Sequence, residues 1–366
     1  MRDFTNVKRI VIKIGTSTIT RNNALDTEYI RRFVSQIRDM LREKRQVVIV
    51  SSGAIGMGAG QLGKTERVTG IKMRQACAAI GQPLLMQEYR KAFLKYNIIT
   101  AQVLLTADVL SNRKTYLNLR NALESLLELG CVPILNENDS VSTEEIGSAF
   151  SDNDRLSAFV ASKIDADLLI MLSDVDALYD KDPRHNPDAV PVPLVTGITP
   201  EILRMAGSRG STHASGGMKT KLEAARITSE AGCSMILAPG DRKDIIADIM
   251  AGKEIGTLFL PRKRLRQRTR WLRNSIPAGT IHIDDGALRA LRKNKSLLPS
   301  GIRSVEGEFE KNSVVMLNTA AKAVSGFSSA ELRLIAGKHS REIETLLGKG
   351  RGDVVAIPEN IVFIDD

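Results

Sequence analysis

The feature that most constrains the fold is a regular alternation, from Lys8 to Pro261, of short apolar runs with segments of helical periodicity. The apolar runs, such as KRIVIKI, QVVIV and DLLIML, are rich in β-branched residues and leucine, and turn-forming residues bound them. Continuous apolar strands that alternate with helices are typical of a mainly parallel sheet buried on both faces. The sequence therefore predicts an α/β fold, a three-layer αβα sandwich around a mainly parallel sheet.

The pattern changes after Asn274. The residues that follow contain short apolar runs, such as IPAGTIHID and VVMLN, that are separated by glycine-containing turns. They predict a small β-rich barrel of ordinary domain size over 276–366. The preceding stretch, 261–275, has the sequence PRKRLRQRTRWLRNS, with seven basic residues and no acid, and we interpret it as a solvated basic linker. The predicted domains are therefore 1–260 and 276–366.

Composition favours a soluble enzyme. The chain has 366 residues, of which 43% are hydrophobic and 26% charged, and its apolar runs are too short to cross a bilayer. The N-terminus lacks the layout of a secretion signal, so we expect a cytoplasmic protein without a membrane partner. The three cysteines form no C-x-x-C and the four histidines form no paired motif, so a disulfide framework or zinc site has little support. The net charge of +10 fits nucleic acid, a membrane surface or a polyanion such as ATP.

One short motif suggests a specific enzyme class. GAGQLGKT, residues 58–65, fits the P-loop pattern G-x-x-x-x-G-K-[ST]. A P-loop needs a strand that runs into the first glycine and a helix that begins at the Lys-Thr pair. Here the predicted strand QVVIV ends at Val50 and Gly70 interrupts any helix after Thr65. We therefore predict a helix end and a surface loop, with a P-loop enzyme as an alternative.

Polar residues follow the predicted strands of the first domain, where ligands bind in open α/β sheets. These sets are Lys13 with Gly15, Thr16 and Ser17; Ser51 to Ala54; Asn136 to Ser140 followed by Ser151 to Asp154; Ser173 with Asp174; and Ser215 to Lys221. Closely spaced carboxylates need a cationic partner, which is a substrate ammonium, Mg²⁺ or a lysine, unless they lie in a solvated Asn/Asp turn. Lysines in the first turn of a helix after a glycine-rich loop suggest a bound anion such as phosphate.

In this order and at these spacings, VIKIGTS, SSGA, NENDS, SDND, LSD and SGGMKTK resemble the amino acid kinase family, and within it the members that phosphorylate glutamate. Residues 276–366 resemble a PUA domain, so the resemblance covers essentially the whole chain. It implies transfer of a phosphoryl group from ATP to the γ-carboxylate of L-glutamate, with Mg²⁺, giving glutamyl 5-phosphate for proline biosynthesis. It also implies feedback inhibition by proline, a homo-oligomer, and functional coupling to glutamyl phosphate reductase.

The resemblance assigns roles to individual residues. Lys13 and Lys221 are the predicted catalytic residues that stabilise the transferring phosphoryl group, with Asp154 orienting both ammonium groups. Asp139 pairs with the α-ammonium of glutamate, and Ser52 and Asn153 bind its carboxylates. Further substrate-binding candidates are Asn136 and Asp152. The predicted nucleotide-binding residues are Lys13, Gly15, Ser173, Asp174, Ser215, Gly216, Gly217, Met218, Lys219, Thr220 and Lys221. No Mg²⁺ ligand follows from the sequence, because this ion often relies on phosphate and water.

Two positions depart from the family pattern, and two alternative functions stay open. Ser151 stands where the family often has glycine, and Ser215 replaces the usual threonine of the nucleotide loop. The first alternative is another member of the family, of the UMP kinase or acetylglutamate kinase type. The second is an RNA-binding protein that acts through its PUA-like domain and basic segment. Trp271 is the one aromatic residue among those basic residues, so base stacking has little support.

Overall fold

The computed structural model describes residues 2–21, 24–64, 66, 68–106, 113–141, 153–205, 217–262, 264–348 and 352–364. These residues pack as two compact units, the first within 1–106 and 120–265 and the second within 107–119 and 266–366. In this part of the chain, no helix is both long enough and apolar enough to cross a membrane.

The strands share a bias toward Val, Ile and Leu. Within the described ranges they are β1 (Arg9–Ile14), β2 (Thr20–Arg21), β3 (Ala24–Leu25), β4 (Gln46–Ser51), β5 (Thr100–Leu105), β6 (Val132–Glu137), β7 (Leu168–Ser173), β8 (Leu194–Val195), β9 (Ser234–Pro239), β10 (Thr257–Phe259), β11 (Thr280–Ile283), β12 (Ile302–Glu306), β13 (Val314–Leu317), β14 (Ala321–Val324) and β15 (Ile361–Phe363).

The helices alternate with these strands. In the same ranges they are α1 (Thr16–Ile19), α2 (Thr27–Arg42), α3 (Ala54–Gln61), α4 (Ile71–Leu94), α5 (Arg113–Glu128), α6 (Asn153–Lys163), α7 (Pro200–Met205), α8 (Met218–Glu230), α9 (Ile245–Met250), α10 (Gln267–Asn274), α11 (Asp285–Arg292), α12 (Ser329–Ile335) and α13 (Ser340–Leu347). Two short 3-10 turns, Pro299–Gly301 and Pro358–Asn360, complete the regular elements.

The first unit contains an eight-stranded sheet in the order β5-β6-β4-β1-β7-β9-β10-β8. The first six strands in this order, which end with β9, are parallel to their neighbours. β10 runs antiparallel to β9, and β8 pairs in parallel with β10. The predicted α/β fold with a mainly parallel sheet is confirmed. Because six strands run in one direction, their carboxyl ends meet at one edge of the sheet.

Alternation along β1 distributes its side chains to the two faces of the sheet. Ile10, Ile12 and Ile14 are fully buried and belong to the main apolar core, to which α2 contributes Phe33. Since side chains alternate along a strand, Lys13 lies on the opposite face, where its ammonium contacts a residue of α6. α6 also packs closely against α8. A lysine inside an apolar strand is thus directed toward the N-terminus of α6.

The P-loop-like stretch has a different structure from a P-loop. Strand β4 ends at Ser51, and α3 begins three residues later, so Gly58 lies inside that helix. A Cβ atom on Gly58 would lie 1.9 Å from the carbonyl oxygen of Cys77 in α4, so this glycine allows α3 and α4 to pack backbone to backbone. Lys64 follows the helix and is exposed. Packing of two helices explains the glycine, and the structure agrees with the predicted helix end and surface loop.

The second unit is built on a five-stranded sheet in the order β12-β11-β13-β14-β15. β11 and β13 are parallel, and the other three pairs are antiparallel. Its apolar core contains Ile281, Val315 and Leu332, all fully buried. The prediction of a separate, small β-rich unit is confirmed.

Part of the predicted basic linker is folded. Residues 267–274 form α10, in which Arg270 and Trp271 are 2% and 1% exposed. The indole packs edge-on against Tyr116, with ring centroids 6.2 Å apart. Four residues of the predicted solvated linker, Arg270, Trp271, Leu272 and Asn274, are therefore buried in a helix, whereas Arg268 is exposed. The predicted domain limits at 260 and 276 stay predictions.

Candidate active site

Two lysines and one aspartate form a buried cluster at the carboxyl edge of the first sheet. Lys13 Nζ lies 2.6 Å from Asp154 Oδ1, and Lys221 Nζ lies 3.0 Å from Asp154 Oδ2. Asp154 is fully buried, and Lys13 and Lys221 are 6% and 2% exposed. The structure thus brings together the three residues that were predicted to be catalytic, although they are far apart in sequence.

Each member of the cluster comes from a different element. Lys13 is the penultimate residue of β1, Asp154 lies in the first turn of α6, and Lys221 is the fourth residue of α8. Close packing of α6 against α8 positions the last two, and an ion pair between Arg155 and Glu223, 3.2 Å, joins the same helices. The rigid sheet and the helix pair therefore fix the geometry.

The electrostatics of the cluster favour a bound anion. Burial by itself would raise the pKa of Asp154, but the charges and hydrogen bonds of Lys13 and Lys221 outweigh burial and hold its pKa below the usual range. The carboxylate is therefore ionised at neutral pH and lies between two cations. Two ammonium groups and one carboxylate leave an excess positive charge in a site shielded from water, where charge is costly unless it is paired.

Thr220 also contacts Asp154. Its Oγ1 lies 3.1 Å from Asp154 Oδ2 and 2.8 Å from the carbonyl oxygen of Gly217. Thr220 is predicted to contact the nucleotide, and in the structure it also contacts the buried carboxylate. The same first turn of α8 thus supplies both a hydroxyl and an ammonium to Asp154.

A second polar cluster contains three of the predicted substrate-binding residues. Asn153 Nδ2 donates to Ser52 Oγ at 2.8 Å, to Asn136 Oδ1 at 3.0 Å and to the carbonyl oxygen of Ser51 at 3.3 Å. Asn136 is 3% exposed, and its Oδ1 also accepts the backbone N–H of Glu137 at 2.9 Å. The carboxyl ends of β4 and β6 and the start of α6 therefore meet through side-chain amides.

Gln82 belongs to this cluster and was missed by the sequence analysis. Its Oε1 accepts from Asn136 Nδ2 at 2.9 Å, and the side chain is 8% exposed. A polar residue in the apolar stretch of α4 was the available signal, but helical periodicity alone does not distinguish it from a surface position.

Asp139 lies just beyond β6, in a half-buried turn. Burial raises the pKa of its carboxyl group, and the charge of Arg74 opposes that shift. A half-buried carboxylate can pair with a ligand ammonium, and the role predicted for Asp139 stays a prediction.

The residues predicted to bind the nucleotide follow β1, β7 and the start of α8. The Gly15 N–H donates to the carbonyl oxygen of Leu172 at 3.3 Å, which ties together the ends of β1 and β7. Ser173 Oγ donates to Asp174 Oδ1 at 2.9 Å. In the glycine-rich loop, Gly217 is the extended residue that caps α8, which begins at Met218, and Lys219 is exposed. The predicted residues Asp152, Ser215 and Gly216, together with Ser151, lie outside the described residues.

The side chains do not fit a magnesium site held by protein alone. In the described part of the chain, no group of three acidic, histidine or cysteine side chains could hold a metal ion. The carboxylate of Asp154 contacts two ammonium groups.

Comparison with known proteins agrees with this architecture. The model of the amino acid kinase family matches residues 8–238, and that of the PUA domain matches residues 279–347. A glutamate 5-kinase of Methanosarcina mazei is 44% identical over 376 residues, covering 99% of this chain and 98% of that protein. Glutamate 5-kinases of Pelobacter propionicus and Moorella thermoacetica are 46% and 42% identical, each covering 99% of this chain and 99% and 97% of those proteins. The chain therefore belongs to the amino acid kinase family, and its full-length relatives place it among the glutamate 5-kinases of that family.

Proposed function

We propose that the protein transfers the γ-phosphoryl group of ATP to the γ-carboxylate of L-glutamate, giving ADP and glutamyl 5-phosphate, the first step of proline biosynthesis. The observation that carries this proposal is the buried cluster of Lys13, Asp154 and Lys221, in which two cations face one anion. Full-length similarity to glutamate 5-kinases supports glutamate as the acceptor.

The reaction forms one P–O bond and breaks another. A γ-carboxylate oxygen of glutamate attacks the γ-phosphorus, and the bond to the bridging oxygen breaks, so that ADP leaves with the electron pair. Negative charge spreads over the oxygens of the transferring group, and Lys13 and Lys221 stabilise it. Asp154 holds both ammonium groups in place, since each of its oxygens contacts one of them.

In this proposal, glutamate binds beside the polar cluster of Ser52, Asn136 and Asn153. The carboxylate of Asp139 pairs with the α-ammonium, and the hydroxyl of Ser52 donates to a carboxylate oxygen. Asn136, Asn153 and Asp152 complete the acceptor side. A substrate held at both ends presents its γ-carboxylate at a fixed distance from the phosphoryl group, which is why chain length governs the rate.

The nucleotide binds at the same carboxyl edge of the first sheet, next to the ends of β1 and β7. Gly15, Ser173 and Asp174 contact it from the ends of β1 and β7, and residues 215–221 contact its phosphates. A glycine-rich loop before a helix offers backbone N–H groups and the positive end of the helix dipole to a phosphate. Mg²⁺ stays a proposal from the family resemblance, and we name no protein ligand for it.

An acceptor panel tests the function. ADP release is measured with L-glutamate, L-aspartate, N-acetylglutamate and UMP, and hydroxylamine traps the acyl phosphate as a hydroxamate. We expect turnover with glutamate and a loss of about 10²-fold in kcat/KM with aspartate, because the shorter side chain misplaces the attacking carboxylate. Equal values for glutamate and aspartate, or turnover with UMP alone, would contradict the proposal.

The further properties implied by the family are part of the same proposal. They are feedback inhibition by proline, assembly into a homo-oligomer, functional coupling to glutamyl phosphate reductase and a cytoplasmic location. The RNA-binding alternative gains nothing from Trp271, which is 1% exposed and packs against Tyr116 instead of offering a face to a base.

A further inference from the structure

We propose that Gln82 is a positioning residue for the acceptor, acting through Asn136 and Asn153 on the hydroxyl of Ser52. This inference rests on the proposed function, since it assigns Ser52 to a carboxylate of the substrate. The residues of this chain of hydrogen bonds, Gln82, Asn136, Asn153 and Ser52, are called the amide relay below. Gln82 itself reaches the substrate only through the other three.

A backbone group fixes the direction of the hydrogen bonds in the amide relay. The N–H of Glu137 can only donate, and it lies 2.9 Å from Asn136 Oδ1, so that atom of the side chain must be the carbonyl oxygen. The amide nitrogen of Asn136 therefore faces Gln82, whose nearest atom must be an acceptor, Oε1 at 2.9 Å. The orientation of both amides follows from one backbone N–H.

The same reasoning extends to Asn153. Two acceptors, Asn136 Oδ1 at 3.0 Å and the carbonyl oxygen of Ser51 at 3.3 Å, face one atom of its side chain, so that atom must be the amide nitrogen. This nitrogen also lies 2.8 Å from Ser52 Oγ, which therefore accepts. A hydroxyl that accepts along one direction keeps its own hydrogen for another partner. Ser52 is thus prepared to donate to an anionic oxygen.

The direction of the hydrogen bonds that Asn153 donates changes its predicted role. The sequence analysis assigned its amide to a carboxylate of the substrate, but its N–H groups are directed to Ser52 and Asn136. Its remaining polar atom, Oδ1, is buried and has no hydrogen-bond partner among the described residues, and an acceptor repels a carboxylate. We therefore assign Asn153 to the orientation of Ser52.

Close helix packing holds Gln82 at its place in the amide relay. The preceding residue, Gly81, lies against the first turn of α3, where an added Cβ would be 1.8 Å from the carbonyl oxygen of Ala54. Gly53, just before α3, adopts a φ of 106° that favours glycine. α4 is thus fixed directly beside the Ser52 turn, and Gln82 is 8% exposed. The amide relay therefore links α4 to the turn that contains Ser52, and the close packing of α4 against α3 keeps the two from shifting independently.

Steady-state kinetics on the full chain test the proposal. Gln82→Met keeps the length of the side chain and removes the acceptor, which leaves the buried amide of Asn136 without that partner. We expect KM for glutamate to rise about 10-fold, a typical effect of an unsatisfied buried group, while KM for ATP changes less than about twofold. Gln61→Met makes the same change at an exposed position of α3 and should have no effect.

Ser52→Ala provides the second arm. If Gln82 acts through Ser52, adding Gln82→Met to Ser52→Ala should raise KM for glutamate by less than about twofold further. Gln82→Asn keeps an amide but withdraws it by about one C–C bond, and it replaces Gln82→Met if the methionine variant does not fold. A folded Gln82→Asn with a raised KM for glutamate then supports the relay.

Several results would overturn the relay. They are an unchanged KM for glutamate in the folded Gln82→Met or Gln82→Asn protein, equal rises in KM for both substrates, or effects of Gln82 and Ser52 that multiply. Absence of glutamate turnover in the unaltered protein would instead reject the proposed function, so the two failures are distinguishable.

Discussion

Replacing Asp154 by asparagine removes the carboxylate that contacts both buried ammonium groups of the site. The side chain keeps its size, but the excess positive charge of the cluster doubles, from one to two. Lys13 and Lys221 are 6% and 2% exposed, so water cannot take over the role of the carboxylate. The perturbation is thus electrostatic rather than steric.

The expected loss of stability follows from the two contacts, at 2.6 and 3.0 Å. Removing one partner of a buried ion pair costs about 3–5 kcal/mol, because it leaves an uncompensated charge. Two lysines that lose their orientation should also lower kcat, by at least about 10²-fold if one preorganised donor is lost. We therefore expect Asp154→Asn to be both nearly inactive and clearly less stable at pH 7.

The effect has a defined pH dependence. The pKa of Asp154 is lower in the folded protein than its ordinary value of 3.8, with burial opposing the shift and the two lysines causing it. A carboxylate of this kind contributes stability above its unfolded pKa and loses that contribution as pH falls through its folded pKa. The difference in stability between the unaltered protein and Asp154→Asn should thus be full at neutral pH and shrink in strong acid.

Urea unfolding followed by circular dichroism measures the change, and a double variant serves as its control. Lys13→Met/Asp154→Asn removes one cation together with the anion and restores the original excess of one charge. It should recover a large part of the stability that Asp154→Asn loses, while staying inactive. The reasoning is refuted if Asp154→Asn unfolds within about 1 kcal/mol of the unaltered protein, or if the double variant is less stable than Asp154→Asn.

Three further predictions use the same geometry. Lys13→Ala and Lys221→Ala should each lower kcat by about 10²–10³-fold in a folded protein. Lys64→Ala changes an exposed loop and should keep both kcat and KM for ATP. An inactive Lys64→Ala protein, together with active variants at the other two positions, would favour a P-loop enzyme. Since burial raises the pKa of Asp139, Asp139→Asn should stabilise the folded state at neutral pH, by an amount that falls as pH is lowered. Thermal melts measure this change, and a loss of stability at neutral pH would contradict the prediction. The same variant should bind glutamate more weakly, which a raised KM for glutamate would show. Residues 1–260 should retain kinase turnover when expressed alone, and a folded but inactive truncation would count against that domain limit.

The meeting of Lys13 with Asp154 could be predicted from the sequence, because Lys13 lies at the end of one strand of the parallel sheet and Asp154 follows another. Strand ends converge at one edge whatever the detailed packing, so Lys13 and the loop before Asp154 were expected to be neighbours. The roles came from the family resemblance, since no spacing relates Lys13 to Lys221. Their hydrogen bonds with a single carboxylate became evident in the structure.

Other features depend on tertiary contacts that leave no local pattern. In the sequence, Gln82 resembles any polar residue of a long helix. Its proposed role depends on the packing of α4 against α3 and on the hydrogen bond from Asn136 of β6, and neither contact can be predicted from the sequence around Gln82. The short strands β8 and β10 were not recognised, because two or three residues give too little periodicity. α10 was mistaken for a solvated linker since a dense run of arginines conceals one buried indole.

The position of Trp271 gives the protein an intrinsic optical probe. It is the single tryptophan of the chain, it is 1% exposed, and it packs against Tyr116 within the second unit. Indole emission shifts to longer wavelength when water reaches the ring. With excitation at the red edge of the absorption band, where tyrosine does not absorb, fluorescence therefore follows the opening of the second unit alone, without any label. The β-rich unit can be monitored spectroscopically in the intact chain while the catalytic unit stays silent.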